Sequence, residues 1–116
     1  MSQGASYREV TKQLGGKLKA LSAATPEVMK SFQGLHQIVI ADGALSAKNK
    51  ELIAIALSVA AHCEGCIAFH AQALARLGAT EAEVADALSV AILMNGGPAS
   101  MWSAEALSAF RDFSQA

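Results

Sequence analysis

A chain of 116 residues is long enough for one hydrophobic core and too short for two, so we expect a single domain over residues 1–116. Its formal net charge is −1 and its nine Lys and Arg residues are scattered, which argues against a nucleic-acid-binding protein. Hydrophobic residues make up 53% of the chain, with nine Gly in addition, and this is more than a domain of this size can bury by itself.

The excess of apolar side chains needs a second surface to cover it. The longest apolar run, residues 52–61, contains Ser58 and is far shorter than the roughly 20 residues of a membrane-spanning helix. We therefore expect no membrane insertion and predict that apolar helix faces are buried between the subunits of an oligomer. Residues 1–6 have neither a basic start nor a long apolar stretch, so we expect no secretory signal and a cytoplasmic protein.

Helical periodicity predicts an all-α fold, a compact bundle of about six helices. The first helix is expected over residues 6–22, and the Gly15-Gly16 pair marks a point where it could break. Its apolar residues recur at helical spacing: Val10, Leu14, Leu18 and Leu21. Thr25-Pro26-Glu27 predicts the start of a second helix, which stops near Asp42-Gly43. Four residues of this helix are expected to face inward: Val28, Phe32, Leu35 and Val39.

Two further helices occupy the middle of the chain. Ser46 is the predicted N-cap of the third helix, whose segment 52–61 is apolar nearly all round and is therefore expected at the centre of the bundle. The fourth helix is expected to start at Cys63 or the next residue and to end at Leu77. Gly78 fits the left-handed position that follows a helix.

Two more helices complete the predicted bundle. Thr80-Glu81-Ala82-Glu83 is a capping box that opens the fifth helix, and Asn95-Gly96-Gly97-Pro98 ends it. The sixth helix is expected over residues 99–113. The fifth is predicted to present Val84, Leu88, Ala91 and Ile92 on one face, and the sixth contributes Trp102, Leu107 and Phe110.

The only two cysteines of the chain, Cys63 and Cys66, lie within one helical turn, and His70 follows one turn later. Backbone N–H groups and the helix dipole favour a thiolate at a helix start, and the i, i+3 spacing brings the two sulfurs within reach of a disulfide. His70 lies four residues after Cys66 on the same face, where it could take or return a proton. The pattern predicts a redox pair in which one sulfur attacks a peroxide or a disulfide and the other resolves the product. This chemistry requires no cofactor and no metal.

Three further polar residues have roles to be considered beside this motif: Glu51, His62 and His36. The simplest role of Glu51 is that of an acid that favours the start of a helix. A straight helix from Glu51 to Cys63 would separate them by about 18 Å, so a proton link to His70 requires a favourable helix crossing, a bridging water or a neighbouring subunit. His62 is expected to point away from Cys63 and to be structural, and His36 has no partner in the sequence.

Two alternative functions stay open at this point. Cys63, Cys66 and His70 could provide three ligands of a zinc ion, with the fourth from His62, Glu51 or another chain. A non-catalytic helical assembly module would explain the apolar composition equally well. It would not explain why both cysteines fall on one turn with a His one turn further on.

The residues around this motif resemble the carboxymuconolactone decarboxylase-like superfamily, in its AhpD-like (alkylhydroperoxidase) branch. The resemblance extends over about residues 45–98 and depends on the combination of Glu51, the CxxC pair and His70 at this spacing. The matching segments read KELIAIAL (50–57), HCEGCIAFH (62–70), LGAT (77–80) and EVADAL (83–88).

The resemblance implies an all-helical fold, assembly as a homotrimer or homohexamer, and thiol-dependent peroxidase or disulfide oxidoreductase activity. It assigns Cys66 as the thiol that attacks a hydroperoxide or disulfide substrate, Cys63 as its disulfide partner, and His70 with Glu51 as a proton relay. An unidentified thiol reductant would regenerate the pair. Lactone decarboxylation is not implied, because that branch does not use this cysteine pair. One position departs from the pattern: Gly65 stands where the best-known AhpD proteins have a His, so any contribution of that His is missing.

Overall fold

Residues 6–115 are described by a computed structural model, in which they form six α-helices and no strand. The helices are α1 (Tyr7–Ala24), α2 (Pro26–Ile40), α3 (Ala47–Ala60), α4 (Glu64–Arg76), α5 (Glu81–Asn95) and α6 (Gly97–Ser114). Helix α4 packs against α1, α3 and α6, and α5 packs against α3 and α6. The prediction of an all-α bundle of about six helices is confirmed.

Local signals start and end most of the helices as the sequence predicts. The side chain of Ser46 accepts the backbone N–H of Asn49 at 3.1 Å at the start of α3, and Thr80 and Glu83 form a reciprocal capping box at the start of α5. Gly78 follows α4 with φ of 77°, the left-handed conformation that favours Gly.

Two boundary predictions need correction in detail. Thr25 precedes Pro26 at the start of α2, but its side chain makes no capping hydrogen bond. Helix α1 continues through Gly15 and Gly16 without a break, because packing of its first turns against α4 and α6 outweighs the low helix propensity of Gly.

The hydrophobic core lies where α3, α4, α5 and α6 meet. Its largest fully buried side chains are Ile55, Val59, Ile67, Leu74 and Val84. Helices α4 and α6 contribute small buried residues: Ala68, Ala71, Ala99, Ala106 and Ala109. Small side chains let two helices approach closely, and this close approach fixes α4, the helix with both cysteines, against the body of the bundle.

The predicted inward face of α2 is wrong for the single chain. Helix α2 contacts only α1 and α3 within residues 6–115, and none of its residues is buried. The four residues expected to face inward are 54–63% exposed: Val28, Phe32, Leu35 and Val39. The reason is topological, because no other helix of the chain covers the far side of α2.

Helices α3 and α5 are also less enclosed than expected. Helix α3 contacts four other helices and buries Ile55 and Val59, but Leu57 on its other side is 64% exposed. On α5, Val84, Leu88 and Ala91 are buried, whereas Ile92 remains 38% exposed. No helix within residues 6–115 is long and apolar enough to cross a membrane.

Candidate active site at the start of the fourth helix

A tight turn joins α3 to α4 and fixes the position of the first cysteine. The N–H of His62 donates to the carbonyl of Val59, and the N–H of Cys63 donates to the carbonyl of Ser58, both at 3.1 Å. This is the Schellman pairing that ends many helices. His62 takes its left-handed position with φ of 55°, and within residues 6–115 it is the only residue other than Gly with a positive φ.

The imidazole of His62 stacks on the indole of Trp102 in α6. Their ring centroids lie 5.8 Å apart and the ring planes differ by 13°. A left-handed conformation is unfavourable for any residue with a Cβ, and the stacking contact offsets part of that cost. The arrangement agrees with the structural role expected for His62, although the residue lies in a turn and not on the helix assumed for it.

The two cysteines occupy the first turn of α4 and form a disulfide. Cys63 is the N-cap residue and Cys66 the third residue of the helix, with Cα atoms 5.2 Å apart. The Sγ of Cys63 also accepts the backbone N–H of Cys66 at 3.1 Å. Cys63 is half-buried, whereas Cys66 is exposed. The prediction that the spacing brings the sulfurs together is therefore confirmed.

Glu51 and His70 are in direct contact. The Oε2 of Glu51 lies 2.6 Å from the Nδ1 of His70, and Glu51 is only 3% exposed. The packing of α4 against α3 brings these two residues together although 19 positions separate them in the sequence. Neither a bridging water nor a neighbouring subunit is needed to connect the pair.

His70 faces two cavities. One, of about 500 Å³, lies between α1, α2, α3 and α4 and is lined by Leu18, His36, Glu51, Phe69, His70 and Arg76 among others. The second, of about 580 Å³, lies between α2 and α3 and is again lined by His36 and His70. His36 had no partner in the sequence, and only the fold reveals that it shares these cavities with His70.

Gly65 lies between the cysteines and faces α1. A Cβ at this position would be 2.6 Å from the Cδ1 of Leu14, closer than non-bonded carbon atoms can approach. The packing of α1 over the first turn of α4 therefore leaves no space for the His that AhpD proteins have here, unless Leu14 moves.

The zinc alternative draws no support from the geometry. Within residues 6–115, no three His, Cys, Asp or Glu side chains are grouped closely enough to hold a metal ion. In this structure the sulfurs of Cys63 and Cys66 are bonded to each other, and Nδ1 of His70 is engaged by Glu51.

Several known proteins are similar to this chain. The model of the carboxymuconolactone decarboxylase family matches residues 26–109. An uncharacterized protein from Cupriavidus necator is 40% identical over 102 residues, which are 88% of this chain and 87% of that protein. A second relative, named uncharacterized protein 4 in cox locus, from Paracoccus denitrificans, is 37% identical over 78 residues, which are 67% of this chain and 70% of that protein.

A solved structure extends this similarity to the whole fold. The crystal structure of an apo carboxymuconolactone decarboxylase family protein from Legionella pneumophila is similar with a TM-score of 0.91 and 46% sequence identity. The match covers 94% of this chain and 97% of that chain. Because the family model spans most of the sequence and the structural match nearly all of it, the chain belongs to the carboxymuconolactone decarboxylase family.

Proposed function

We propose that this protein is a thiol-dependent peroxidase or disulfide oxidoreductase. The observation that supports this most directly is the placement of Cys63 and Cys66 as a disulfide at the start of α4, with the Glu51–His70 pair on the adjoining helices. A helix start stabilises a thiolate. A reversible disulfide between the only two cysteines of the chain gives the protein two oxidation states.

The oxidative half of the cycle uses both thiols. The thiolate of Cys66 attacks the outer oxygen of a hydroperoxide, the O–O bond breaks, and the products are an alcohol and a sulfenic acid on Cys66. The thiolate of Cys63 then attacks that sulfur, releases hydroxide, which is protonated to water, and forms the disulfide. Two electrons pass from the thiol pair to the peroxide.

The Glu51–His70 pair supports proton transfer in this scheme. A carboxylate can only accept hydrogen bonds, so the Nδ1–H of His70 donates to Glu51 and leaves Nε2 to take a proton from a thiol and to return one to the leaving alkoxide. Glu51 acts through His70 by fixing the tautomer and the orientation of the ring, so we assign it as a positioning residue.

The reductive half of the cycle requires an external thiol. Two thiols, or one dithiol, reduce the Cys63–Cys66 disulfide by successive exchange and are themselves oxidised to a disulfide. A substrate disulfide can take the place of the peroxide, since the reduced pair can transfer its two electrons to either.

Peroxide consumption in the presence of a reductant tests the proposal. Cumene hydroperoxide is the oxidant, with dithiothreitol as a dithiol and glutathione as a monothiol. We expect turnover by the wild type and loss of turnover in Cys66→Ser. Thiol titration should show two thiols lost after one equivalent of hydroperoxide, and Cys63→Ser should instead accumulate a sulfenic acid that dimedone traps.

The assembly module is the second candidate, because apolar side chains on α2 are exposed. The same cysteine variants separate the two functions. If the protein is an enzyme, Cys63→Ser and Cys66→Ser keep the native molecular mass and lose turnover. Full peroxide turnover in both variants would overturn the peroxidase proposal and leave the assembly module. Two persisting free thiols with one zinc bound per chain would favour the zinc alternative.

A further inference from the structure

The two cavities at His70 adjoin each other and share two further lining residues, His36 and Ile40. The first, of about 500 Å³, extends along α4 from His70 to Arg76. The second, of about 580 Å³, continues from His70 between α2 and α3, and apart from the two histidines and Lys50 its lining side chains are apolar. Cavities of this size, with apolar walls and a few polar groups, are typical sites for small molecules.

The charged groups that line these cavities are mostly basic. Glu51 is the only acid among the lining residues, and its carboxylate is already engaged by His70 at 2.6 Å. The ammonium group of Lys50 donates to the carbonyls of Val39 and Ala41 at 2.8 and 2.6 Å, so Lys50 is used to hold the end of α2.

Arg76 is the cation of the first cavity that has no such partner. Within residues 6–115 its guanidinium makes no ion pair and no hydrogen bond. A basic residue in the last turn of a helix interacts favourably with the helix dipole, which accounts for a cation at this position but not for its place in a cavity wall. The planar fork of five N–H donors matches the geometry of a carboxylate, so Arg76 is suited to bind an anionic head group.

The spacing between Arg76 and His70 limits the kind of molecule that reaches both. The two residues are on the same helix, and their separation in sequence corresponds to about 9 Å along its axis. The side chains of Leu18, Phe69 and Ala73 line the same cavity, so the part of the molecule between the two residues must be apolar. An alkyl chain meets this requirement and can continue past His70 into the second cavity.

We propose that the two cavities bind an amphipathic carboxylate, with its head group on Arg76 and its alkyl chain extending past His70. The substrates would then be the hydroperoxides of medium- or long-chain carboxylic acids. This inference rests on the proposed peroxidase function and adds to it the chemical class of the substrate.

Binding of decanoate, which has no reactive group, tests the site without turnover. Of the three histidines in the chain, His36 and His70 line the cavities, whereas His62 stacks on Trp102 and lines neither. In proton–nitrogen correlation spectra of the imidazole groups, we expect decanoate below its micellar concentration to shift the signals of His36 and His70 saturably and to leave those of His62 unchanged. Equal shifts of all three histidines, or no shift at His36 and His70, would overturn the proposal.

Two further ligands separate the head group from the chain. Decyltrimethylammonium has a chain of the same length and the opposite charge, and acetate has the carboxylate without the chain. We expect each to bind at least about ten times more weakly than decanoate. Equal affinity for decyltrimethylammonium would contradict recognition of the negative charge, and equal affinity for acetate would contradict recognition of the chain; either result refutes the proposal.

Variants of Arg76 test the position of the head group. Arg76→Gln should weaken decanoate binding by about fivefold, as expected for the loss of one solvent-accessible ion pair, and Arg76→Lys should recover most of the affinity because it keeps the charge. Lys12→Gln is the matched control, since it removes the same charge from an exposed position of α1 that lines neither cavity. Unchanged affinity in Arg76→Gln, or an equal loss in Lys12→Gln, would refute the assignment.

None of these measurements uses a hydroperoxide or a cysteine. A protein that binds decanoate as expected but has no peroxide turnover would refute the proposed function and leave the carboxylate site in place. Turnover of cumene hydroperoxide without decanoate binding would refute only the substrate class.

Discussion

Among residues 6–115, Glu51 is the one charged side chain that is almost fully buried. A buried carboxylate is costly unless it is paired, and here its partner is His70 at 2.6 Å. The contact offsets the cost of burying Glu51, and the proposed relay assigns it a chemical role as well, so a test must separate the two.

Glu51→Gln and His70→Gln provide that separation at the residue scale. Either amide can preserve a hydrogen bond between positions 51 and 70, but neither variant retains both the carboxyl group and the imidazole. We expect peroxide turnover to fall by about 10²-fold or more in each, with little change in the unfolding midpoint. Alkylation rates against pH should shift in both.

Glu81→Gln is the matched control, because Glu81 is an exposed acid in an ion pair with Arg111. It should leave turnover and the alkylation profile unchanged. If the profile is the same in wild type and in both Gln variants at positions 51 and 70, then the relay does not exist and the pair is structural.

Tyr7 gives a pH dependence of stability whose sign is fixed by its surroundings. Its hydroxyl donates to Glu105, and its backbone N–H donates to Asp112 at 2.9 Å. Burial, the bond to Glu105, and the negative charges of Glu105, Glu64 and Asp112 raise the pKa of Tyr7 far above its usual range. Below pH about 10 the phenol is neutral in both folded and unfolded states. Above it, the unfolded state loses the proton first, so the free energy of unfolding falls as pH rises.

Tyr7 is the only tyrosine of the chain, so its phenolate absorbance can be assigned without ambiguity. We expect no phenolate signal in the folded protein near pH 10 and its appearance together with unfolding at higher pH. Urea unfolding of Tyr7→Phe should show a weaker decline of stability above pH 10 than the wild type. A folded protein in which the phenolate appears near pH 10 would contradict this prediction.

At the scale of helices, the contact between α1 and the start of α4 depends on a missing side chain. Gly65→Ala would place a Cβ 2.6 Å from the Cδ1 of Leu14, the far end of a flexible side chain that must shift to make room, and we expect a loss of free energy of unfolding at or below the low end of the range of about 1–3 kcal/mol. Leu14→Ala creates a cavity and is destabilising alone. In the Gly65→Ala, Leu14→Ala double variant the new methyl group has space. Its free energy of unfolding should therefore fall by less than the sum of the losses measured in the two single variants.

Gly16→Ala is a control on α1 itself, because no atom lies within 4 Å of the Cβ it would add. There the better helix propensity of Ala should raise stability by about 0.5–1 kcal/mol. Chemical denaturation followed by Trp102 fluorescence measures all four variants. If Gly65→Ala is as stable as the wild type, the Leu14 side chain moves aside without cost and the contact does not depend on the missing side chain at position 65.

At the scale of the whole molecule, a large apolar surface is exposed on the single chain. It includes residues of α2, α3 and α5 that are 48–81% exposed: Val28, Phe32, Leu35, Ile38, Val39, Ile53, Leu57, Val90, Leu93 and Met94. Monomeric proteins seldom expose so many large apolar side chains together. We expect this surface to be buried between copies of the chain.

Light scattering in dilute solution should therefore give the mass of a trimer or a larger assembly. Phe32→Glu places a charge on the exposed face of α2 and should lower the mass while the helical circular dichroism is kept. Ser31→Glu adds the same charge at the neighbouring, already polar position and should leave the mass unchanged. A monomeric wild type would contradict the inference from composition.

Local signals in the sequence determined most helix boundaries and the disulfide. The caps at Ser46 and Thr80 and the left-handed Gly78 were predicted and are present, because each depends on hydrogen bonds or dihedral angles within a few residues. The approach of Cys63 and Cys66 is local for the same reason. The family resemblance added the roles proposed for these residues.

Only the tertiary structure decided which residues meet across helices. Glu51 reaches His70 directly, His36 lines the same cavities as His70, and α2 lies with its apolar face uncovered. Even the left-handed turn at His62 is accompanied by a contact with Trp102, forty residues away in sequence. These features depend on how α1, α2, α3, α4 and α6 cross one another. A crossing is fixed by the packing of many side chains at once, and helical periodicity in a single sequence does not specify it.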